Sequence, residues 1–261
     1  MGYVLLTGAT GGIGLALARV FARKGYDLIL VSSDEEHLVQ ARKRLKKRFK
    51  ETDIISVCQD LSEIGAAQEL YNRIQKLKLK KVHTGQTTKN DVEILVNNAG
   101  FGMVGSAEKL DCEREQKMLI LNMITPTELC KLFLKDMYRK GTGSILNVAS
   151  TGAFQPGPYN ASYFASKSYL YSYSCAIRHE AKRRGVNVSV LCPGTTRTDF
   201  FEKAGSRTPV WAMAPGLVAE CAVDGLEQNK AVIIPGRINR VLRFVPPCIK
   251  AYGVAFLKKK R

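Results

Sequence analysis

The chain has 261 residues, of which 45% are hydrophobic and 24% are charged, and these proportions describe an ordinary globular protein with one large core. No apolar run reaches the roughly 18 to 20 residues that a membrane-spanning helix requires, so the sequence excludes such a helix. The formal net charge of +17 attracts polyanions, anionic lipid or phosphorylated cofactors without choosing among them.

The seven cysteines are scattered and form no CxxC pair, a pattern typical of small core residues in a reducing compartment. We therefore expect a cytoplasmic protein. Much of the positive charge lies in helix-like stretches such as Arg42 to Lys50, where a solvated polar face is the simpler interpretation. Zinc-finger spacing and RNP-like aromatic motifs are absent, so we expect neither a metal site nor nucleic-acid binding.

The first predicted element is a short strand, Tyr3 to Leu6, which leads into the glycine-rich stretch Thr7 to Gly14 and then a helix that stops at Gly25. Strand, glycine turn and helix form the order that a dinucleotide needs. Glycines let the backbone approach the phosphates, and the free N–H groups at the helix start meet their negative charge. The alternative is a tight turn, but this context favours a nucleotide-binding loop.

Leu28 to Val31 predicts a second buried strand, followed by a helix to about Phe49 that Ser33 or Asp34 caps. The end of this strand bears on the choice of cofactor, because an acidic residue there binds the 2′-hydroxyl of NAD and repels the 2′-phosphate of NADP. Ser32 stands where that acid is expected. The sequence therefore favours NADP, although no arginine stands at Ser33 and NAD stays an alternative.

Two further strands, Ile54 to Val57 and Ile94 to Val96, end in polar turns that contain Asp60 and the run Asn97 to Gly100. Strands that alternate with helices predict a parallel sheet, whose ligands collect at the carboxyl ends of the strands. The simpler interpretations are a helix cap for a Ser62 to Leu77 helix and a polar turn. The intervening stretch Leu79 to Asp91 predicts a surface loop.

A long helical pattern from about Glu113 to Arg139 contains Asn122 among apolar neighbours, which predicts a buried hydrogen-bonding residue or a helix bend. The fifth strand, Ser144 to Val148, delivers Ser150 to its carboxyl end. Asn160 to Arg184 is the next helix.

This helix carries Tyr163 and Lys167, four residues apart and hence on one face. A nearby ammonium stabilises a phenolate, so the pair can act as a tuned proton donor. The alternative is an aromatic residue beside a solvated lysine.

The remaining predicted elements are a sixth strand, Val186 to Leu191, a helix over Pro215 to Glu227 and a seventh strand, Val232 to Ile234. The irregular stretch Thr195 to Trp211 suits a mobile flap over a substrate. The basic and apolar tail from Arg237 to Arg261 covers a pocket, touches an anionic membrane surface or is a docked terminus whose last four residues fray.

Together these motifs resemble the ordered set of the classical short-chain dehydrogenase/reductase family, from Tyr3 to about Ile234. The resemblance implies an α/β fold with a single Rossmann-type, doubly wound domain, whose seven-stranded parallel sheet carries helices on both faces. We assign this catalytic domain to residues 1–236 and treat residues 237–261 as an extension that is not an independent domain.

The resemblance also implies the site residues. The catalytic tetrad would be Asn122, Ser150, Tyr163 and Lys167. Cofactor contacts would come from Gly8, Thr10, Gly12, Ile13, Gly14, Ser32, Ser33, Asp60, Leu61, Asn98, Ala99, Gly100, Tyr163, Lys167, Pro193, Gly194, Thr196 and Thr198. Among these, the glycines would hold the pyrophosphate, Asp60 the adenine, Asn98 the ribose region and Thr198 the nicotinamide amide.

In the implied chemistry, Tyr163 is the acid in reduction and the base in oxidation, and Lys167 lowers its pKa and bonds the nicotinamide ribose. Ser150 polarises the carbonyl, and Asn122 holds a water that links Lys167 to solvent.

The expected function is therefore hydride transfer between NADP and a ketone or secondary alcohol. An apolar substrate, steroid-like or fatty ketoacyl, is favoured by Phe200, Phe201, Trp211, Met213 and the apolar residues from Val241 to Phe256. The alternatives are a non-catalytic NADP-binding sensor or scaffold, and a basic protein that binds polyanions or an anionic membrane surface. The resemblance also implies a homodimer or homotetramer, formed through the two long helices.

Overall fold

The computed structural model describes residues 2–80, 87–89, 92–205 and 208–259. Its strands are β1 (Tyr3–Thr7), β2 (Asp27–Ser32), β3 (Ile54–Cys58), β4 (Lys78–Lys80), β5 (Thr87–Lys89), β6 (Val92–Asn97), β7 (Gly143–Val148), β8 (Val186–Leu191) and β9 (Val232–Ile233). Its helices are α1 (Gly12–Arg23), α2 (Glu35–Arg48), α3 (Ala66–Lys76), α4 (Cys112–Leu119), α5 (Thr125–Lys140), α6 (Ala161–Lys182), α7 (Phe200–Lys203), α8 (Pro215–Glu227), α9 (Arg237–Leu242) and α10 (Pro247–Lys259).

Seven of these strands form one parallel sheet in the order β3-β2-β1-β6-β7-β8-β9, which confirms the predicted fold class. The direction of the strand order reverses beside β1. The carboxyl ends of β1 and β6 therefore open a crevice at that edge, where doubly wound sheets bind their ligands.

Alternate residues along the central strands enter two separate cores, since successive side chains of a strand point to opposite faces. Val4 and Leu6 pack with α1, α2 and α8 on one face, and Leu5 packs with α3, α5 and α6 on the other. All three side chains are fully buried. The apolar runs of the sequence are thus explained by a sheet that is covered on both faces.

The prediction of a surface loop over Leu79 to Asp91 is wrong in part. Lys78–Lys80 and Thr87–Lys89 pair as an antiparallel two-stranded sheet, and Leu79 is fully buried in the core beneath α3. Positions 81–86 and 90–91 of the predicted loop lie outside the described residues.

Two helix predictions also need correction. The third helix begins at Ala66 with Gly65 as its N-cap, so Asp60 does not cap it. The long Glu113 to Arg139 helix is interrupted by a π-helical turn over Ile120–Ile124, which contains Asn122. In contrast, Asp34 caps α2 as predicted, because its carboxylate accepts a hydrogen bond from the His37 N–H at 2.9 Å.

Candidate active site

The glycine-rich turn between β1 and α1 is held in place by the end of β6. The Asn98 side-chain amide donates to the carbonyls of Thr7 and Gly8, each at 3.0 Å. The Thr7 hydroxyl accepts from the backbone N–H groups of Asn98 and Ala99, also at 3.0 Å. Both N–H groups of the Asn98 side chain therefore donate hydrogen bonds to the loop. The predicted contact of Asn98 with the ribose would have to come from other atoms of this residue.

Gly14 is required by the close approach of the loop to the helix that follows it. A Cβ atom at this position would lie 2.0 Å from the Gly8 carbonyl oxygen and 2.7 Å from the Asn98 amide nitrogen. No side chain fits there, and the backbone thus forms the kind of open cradle that a pyrophosphate needs at a helix start.

The far end of the cavity, beyond the glycine turn, is lined by serine hydroxyls. Ser32 Oγ lies 3.3 Å from Thr10 Oγ1, and it also accepts from the Asp34 N–H. The Asp34 carboxylate is engaged by the His37 ring as well as by the His37 N–H, with Nδ1 at 2.6 Å. The Asp34 carboxylate is thus close to Ser32, but its hydrogen bonds are made with His37 at the start of α2.

Asp60 stands at the carboxyl end of β3 and is exposed towards the same cavity. One of its oxygens accepts from the N–H and the hydroxyl of Ser62, at 2.9 and 2.8 Å. This local turn replaces the helix cap that the sequence suggested and leaves the second carboxylate oxygen directed away from that bond.

Ser150, Tyr163 and Lys167 come together between β7 and α6. The Ser150 hydroxyl accepts from the Gly152 N–H at 3.0 Å, which leaves its own proton to donate, and it is hydrogen-bonded with Tyr163. Lys167 is 5% exposed, and its ammonium donates to the Val148 carbonyl at 3.0 Å while lying 5.8 Å from the centre of the Tyr163 ring. The predicted pair therefore shares one buried wall.

The electrostatics of this wall differ from the expected tuning. Burial raises the pKa of Tyr163 to about 12, because it removes water from the phenolate, and the hydrogen bond with Ser150 offsets only part of that effect. Burial also lowers the pKa of Lys167 to about 8. The expectation that Lys167 lowers the pKa of Tyr163 stays a prediction, because burial is the largest influence on that pKa in the protein alone.

Asn122 is fully buried in the π-helical turn behind this wall. Its amide donates to the Phe101 carbonyl at 3.0 Å and to Ser166 Oγ at 3.1 Å, so it is a buried hydrogen-bonding residue as predicted. Within the described chain its Oδ1 atom accepts no hydrogen bond. A Cβ at Gly100 would lie 2.7 Å from this oxygen and 3.3 Å from the Lys167 ammonium, which places the two groups at one small recess.

One cavity of about 1060 Å³ joins all of these features. Every predicted cofactor-contacting residue lines it, as do Ser150, Tyr163 and Lys167, whereas Asn122 lies behind the wall. The cavity is long enough to include the glycine turn at one end and an aromatic region at the other. The residues present thus fit a dinucleotide.

The aromatic end contains residues from the predicted flap. Phe200 lies with its ring centre 5.3 Å from that of Tyr163, and Phe201 and Trp211 line the cavity beside it. Met213 does not line it and instead packs against the core, so it gives no support to an apolar substrate. The flap contains the short helix α7, and positions 206–207 lie outside the described residues.

Sequence reasoning missed several residues of the cavity wall. They include His37, Arg114, Leu121 and Gln155. None of them follows a strand end directly, so the rule that locates ligands at strand ends gives no signal for them. Val254 of the C-terminal extension also lines the cavity, which shows that the extension contributes to it.

A parallel sheet with a glycine turn after its first strand, and a Ser–Tyr–Lys cluster on the wall of the same cavity, define a class of dinucleotide-dependent oxidoreductases. The family model for the short chain dehydrogenases matches residues 2–208. The chain therefore belongs to that family, which uses NAD(P), and the predicted resemblance is confirmed.

Individual relatives agree with this assignment. Ketoacyl reductase HetN of Nostoc sp. is 29% identical over 215 residues, which cover 79% of this chain and 70% of that protein. A short-chain dehydrogenase from Sphingobium yanoikuyae in complex with NADPH is 26% identical, with a TM-score of 0.82 over 98% of this chain and 94% of that one. The bulky-bulky ketone specific alcohol dehydrogenase from Comamonas testosteroni is 25% identical, with a TM-score of 0.78 over 93% and 91% of the two chains.

Among the described residues, no helix combines the length and the hydrophobicity that crossing a bilayer would require.

Proposed function

We propose that the protein is an NADP-preferring oxidoreductase that reduces an apolar ketone, or oxidises the corresponding secondary alcohol. The observation that carries the proposal is the Ser150–Tyr163 hydroxyl pair with Lys167 beside it, on the wall of the cavity that the glycine turn also lines. A protein that only bound the dinucleotide would need the glycine turn but not this pair.

The bound nicotinamide supplies or accepts the hydride. The Ser150 proton can turn from Tyr163 to a carbonyl oxygen and polarise it, because the Gly152 N–H occupies only an acceptor position of that hydroxyl. Tyr163 keeps its proton at neutral pH, since burial raises its pKa, and can deliver that proton to the oxygen as it gains negative charge. In oxidation the phenolate form of Tyr163 takes the proton from the alcohol.

Lys167 and Asn122 act behind the phenol. The lowered pKa of Lys167 lets the amine gain and lose a proton near neutral pH, which suits a group that passes protons. The unbonded Asn122 oxygen faces the same recess and supports the expected bridging water. Phosphate contacts come from the glycine turn, and Asp60, Thr198 and the remaining cofactor-contacting residues keep the roles that the resemblance implies.

The preference for NADP is supported by Ser32, which brings a hydroxyl where an acid would repel the 2′-phosphate, and by His37 on the same wall. The apolar character of the substrate is supported by Phe200, Phe201 and Trp211 around the reaction end. The relatives whose names mention a ketoacyl or a bulky ketone substrate point the same way.

The same proposal includes three broader features. Residues 1–236 form the catalytic domain and residues 237–261 an extension of it. A homodimer or homotetramer forms through the helices α4, α5 and α6. The cytoplasm is the proposed location, supported by the seven cysteines, all of which are free thiols.

The proposal is tested by following NADPH and NADH absorbance with steroid ketones, ketoacyl thioesters and small bulky ketones. We expect turnover with NADPH and an apolar ketone. The Ser32→Asp variant should bind NADPH roughly tenfold to a hundredfold more weakly and NADH nearly unchanged, because the new carboxylate repels the 2′-phosphate.

Ser172→Asp is the matched control, since it adds the same charge at an exposed position of α6 outside the cavity. Equal use of NADH and NADPH by the natural protein would refute the cofactor preference. Tight NADPH binding without turnover of any carbonyl compound would favour the non-catalytic sensor instead.

A further inference from the structure

The C-terminal segment, defined here as residues 237–259, is fastened to the domain along one side. The Arg243 guanidinium lies 5.3 Å from the centre of the Phe154 ring and donates to the Tyr171 hydroxyl at 2.9 Å. The Lys250 ammonium donates to the Phe154 carbonyl at 2.9 Å. Phe154 ends the short helical turn that Ser150 begins, so the segment is attached beside the reaction end of the cavity.

The opposite side of the C-terminal segment is apolar and open to solvent. The exposed fractions are 75% for Ile238, 68% for Val241, 83% for Phe244, 60% for Ile249 and 81% for Tyr252. Ile238 and Val241 are three residues apart in α9, and Ile249 and Tyr252 are three apart in α10, so each helix presents its pair on one face. A cluster of large exposed apolar residues marks an interaction surface.

The turn at Val210 and Trp211 adds to this apolar surface. Their exposed fractions are 92% and 72%. Trp211 also lines the cavity, as does Val254 of α10. The flap and the C-terminal segment therefore both contribute to the cavity wall, and the exposed apolar residues belong to these same two segments.

The charge of the C-terminal stretch identifies what would cover this surface. Residues 237–261 contain eight basic residues and no Asp or Glu. A second copy of the chain in a two-fold contact would bring the same positive charges face to face, which disfavours it. Nucleic acid would be attracted by the charge, but its phosphates offer no partner for Ile238, Phe244 and Ile249. An anionic lipid bilayer satisfies both features, because its headgroups bind arginine and lysine while its acyl boundary buries the apolar side chains.

We infer that the C-terminal segment and the Val210–Trp211 turn form a docking surface for an anionic membrane. Apolar side chains of α9, α10 and the turn enter the acyl boundary, and Arg237 and Arg240 meet the lipid headgroups. Trp211 is suited to this depth, since its indole is amphipathic. The mouth of the cavity then faces the bilayer. If the proposed function holds, the ketone substrate then enters the cavity from the lipid phase rather than from water.

The direct test is sedimentation of the full-length protein with vesicles of phosphatidylcholine containing phosphatidylserine, compared with vesicles of phosphatidylcholine alone. We expect binding to the anionic vesicles that weakens steeply as salt is added. The double variant Phe244→Ser/Tyr252→Ser should bind them at least about tenfold more weakly. Arg237→Glu/Arg240→Glu should lose a similar factor on anionic vesicles only.

Matched controls come from the opposite edge of the sheet, next to β3. Ile64→Ser removes an apolar side chain that is 71% exposed, and Arg42→Glu/Arg44→Glu reverses two exposed charges of α2. Both should bind vesicles like the natural protein. Circular dichroism and NADPH binding check that each variant is folded.

Turnover separates this inference from the proposed function. Tyr163→Phe should bind vesicles normally, and Phe244→Ser/Tyr252→Ser should reduce a small water-soluble ketone normally while losing rate on a ketone held in vesicles. The inference is overturned if the natural protein fails to bind anionic vesicles at low salt, or if the apolar variant binds as well as Ile64→Ser. It is also overturned if the apolar variant lacks any lipid phenotype and instead dissociates an oligomer in sedimentation velocity, since the surface would then join copies of the chain.

Discussion

The two walls of the cavity are built in different ways. The wall formed by strand ends and α6 is buried and tied by hydrogen bonds, such as those from Asn98 to the glycine turn and from Lys167 to Val148. The other wall consists of the flap and the C-terminal segment, where Trp211 lines the cavity although it is 72% exposed.

This difference separates two tasks. Hydride and proton transfer need groups that keep fixed distances, and a parallel sheet supplies such positions at its carboxyl edge. Contact with a substrate needs a surface that can differ or move without disturbing the sheet. The catalytic proposal therefore depends on the first wall, and the identity of the substrate depends on the second.

The largest expected effect is on turnover, and it comes from removing the phenol oxygen of Tyr163 in the first wall. Tyr163→Phe removes only the phenol oxygen, so it should reduce turnover by about a thousandfold, within the range of general acid catalysis, while NADPH still binds. Steady-state kinetics and a fluorescence titration with NADPH measure the two quantities.

Tyr169→Phe is its control, because this partly exposed tyrosine of the same helix bonds the Thr127 hydroxyl outside the cavity. Its turnover should match that of the natural protein. Retention of turnover in Tyr163→Phe would show that another group supplies the proton.

A smaller effect tests the electrostatics of the same wall through pH. Lys167 has a pKa of about 8 in the folded protein because it is buried, against 10.5 as the ordinary value for an exposed lysine. Between these values the unfolded chain binds one more proton than the folded chain, so Lys167 makes the free energy of unfolding rise with pH, and this contribution is lost as the pH falls through about 8. The rise is about 3 kcal/mol in total.

Lys167→Met should lack this rise. Urea unfolding of both proteins between about pH 8 and pH 10 measures it, and the difference between them removes the titration of other groups. A difference that stays constant over this interval would mean that the folded protein keeps Lys167 charged.

The smallest expected effect concerns the second wall. Arg243→Ala removes the contacts with Phe154 and Tyr171, and should lower the free energy of unfolding by only about 0.5 to 1 kcal/mol, since the guanidinium is exposed. It should also speed cleavage within the C-terminal segment under limited proteolysis, while the rest of the chain stays resistant.

Arg42→Ala on α2 is the comparison, and should leave both the stability and the cleavage pattern unchanged. If Arg243→Ala destabilised the protein as much as the loss of a core side chain, the second wall would be as firmly built as the first.

Most of the fold was predictable because its signals are local. Buried parallel strands such as β1 and β8 are mostly apolar runs. Helices such as α2 begin after a capping residue that can be recognised in the sequence, here Asp34. The antiparallel pair of β4 and β5 was missed because a short polar stretch carries no strand signal, and only the pairing in the structure reveals it. At Asn122 the sequence offered a helix bend as one alternative, but the π-helical turn itself was not predicted because its residues continue a helical pattern.

The site divides in the same way. Residues that follow strands, such as Asp60 and Ser150, were predicted to lie together because parallel strands end at one edge. Arg114 was not, since it reaches the cavity through the packing of a segment that is distant in sequence. The effect of burial on the pKa of Tyr163 was not predicted, because a charge four residues away is visible in the sequence, whereas burial is not.

The sequence by itself determined the family, the parallel sheet and a set of residues that line one cavity, since each depends on the order of residue types along the chain. The tertiary structure decided the rest: how deeply Tyr163 and Lys167 are buried, which side of the C-terminal segment is fastened, and which side is left apolar and exposed. The physical reason is that desolvation and the exposure of apolar surface depend on what packs against a residue, and its packing neighbours come from distant parts of the chain.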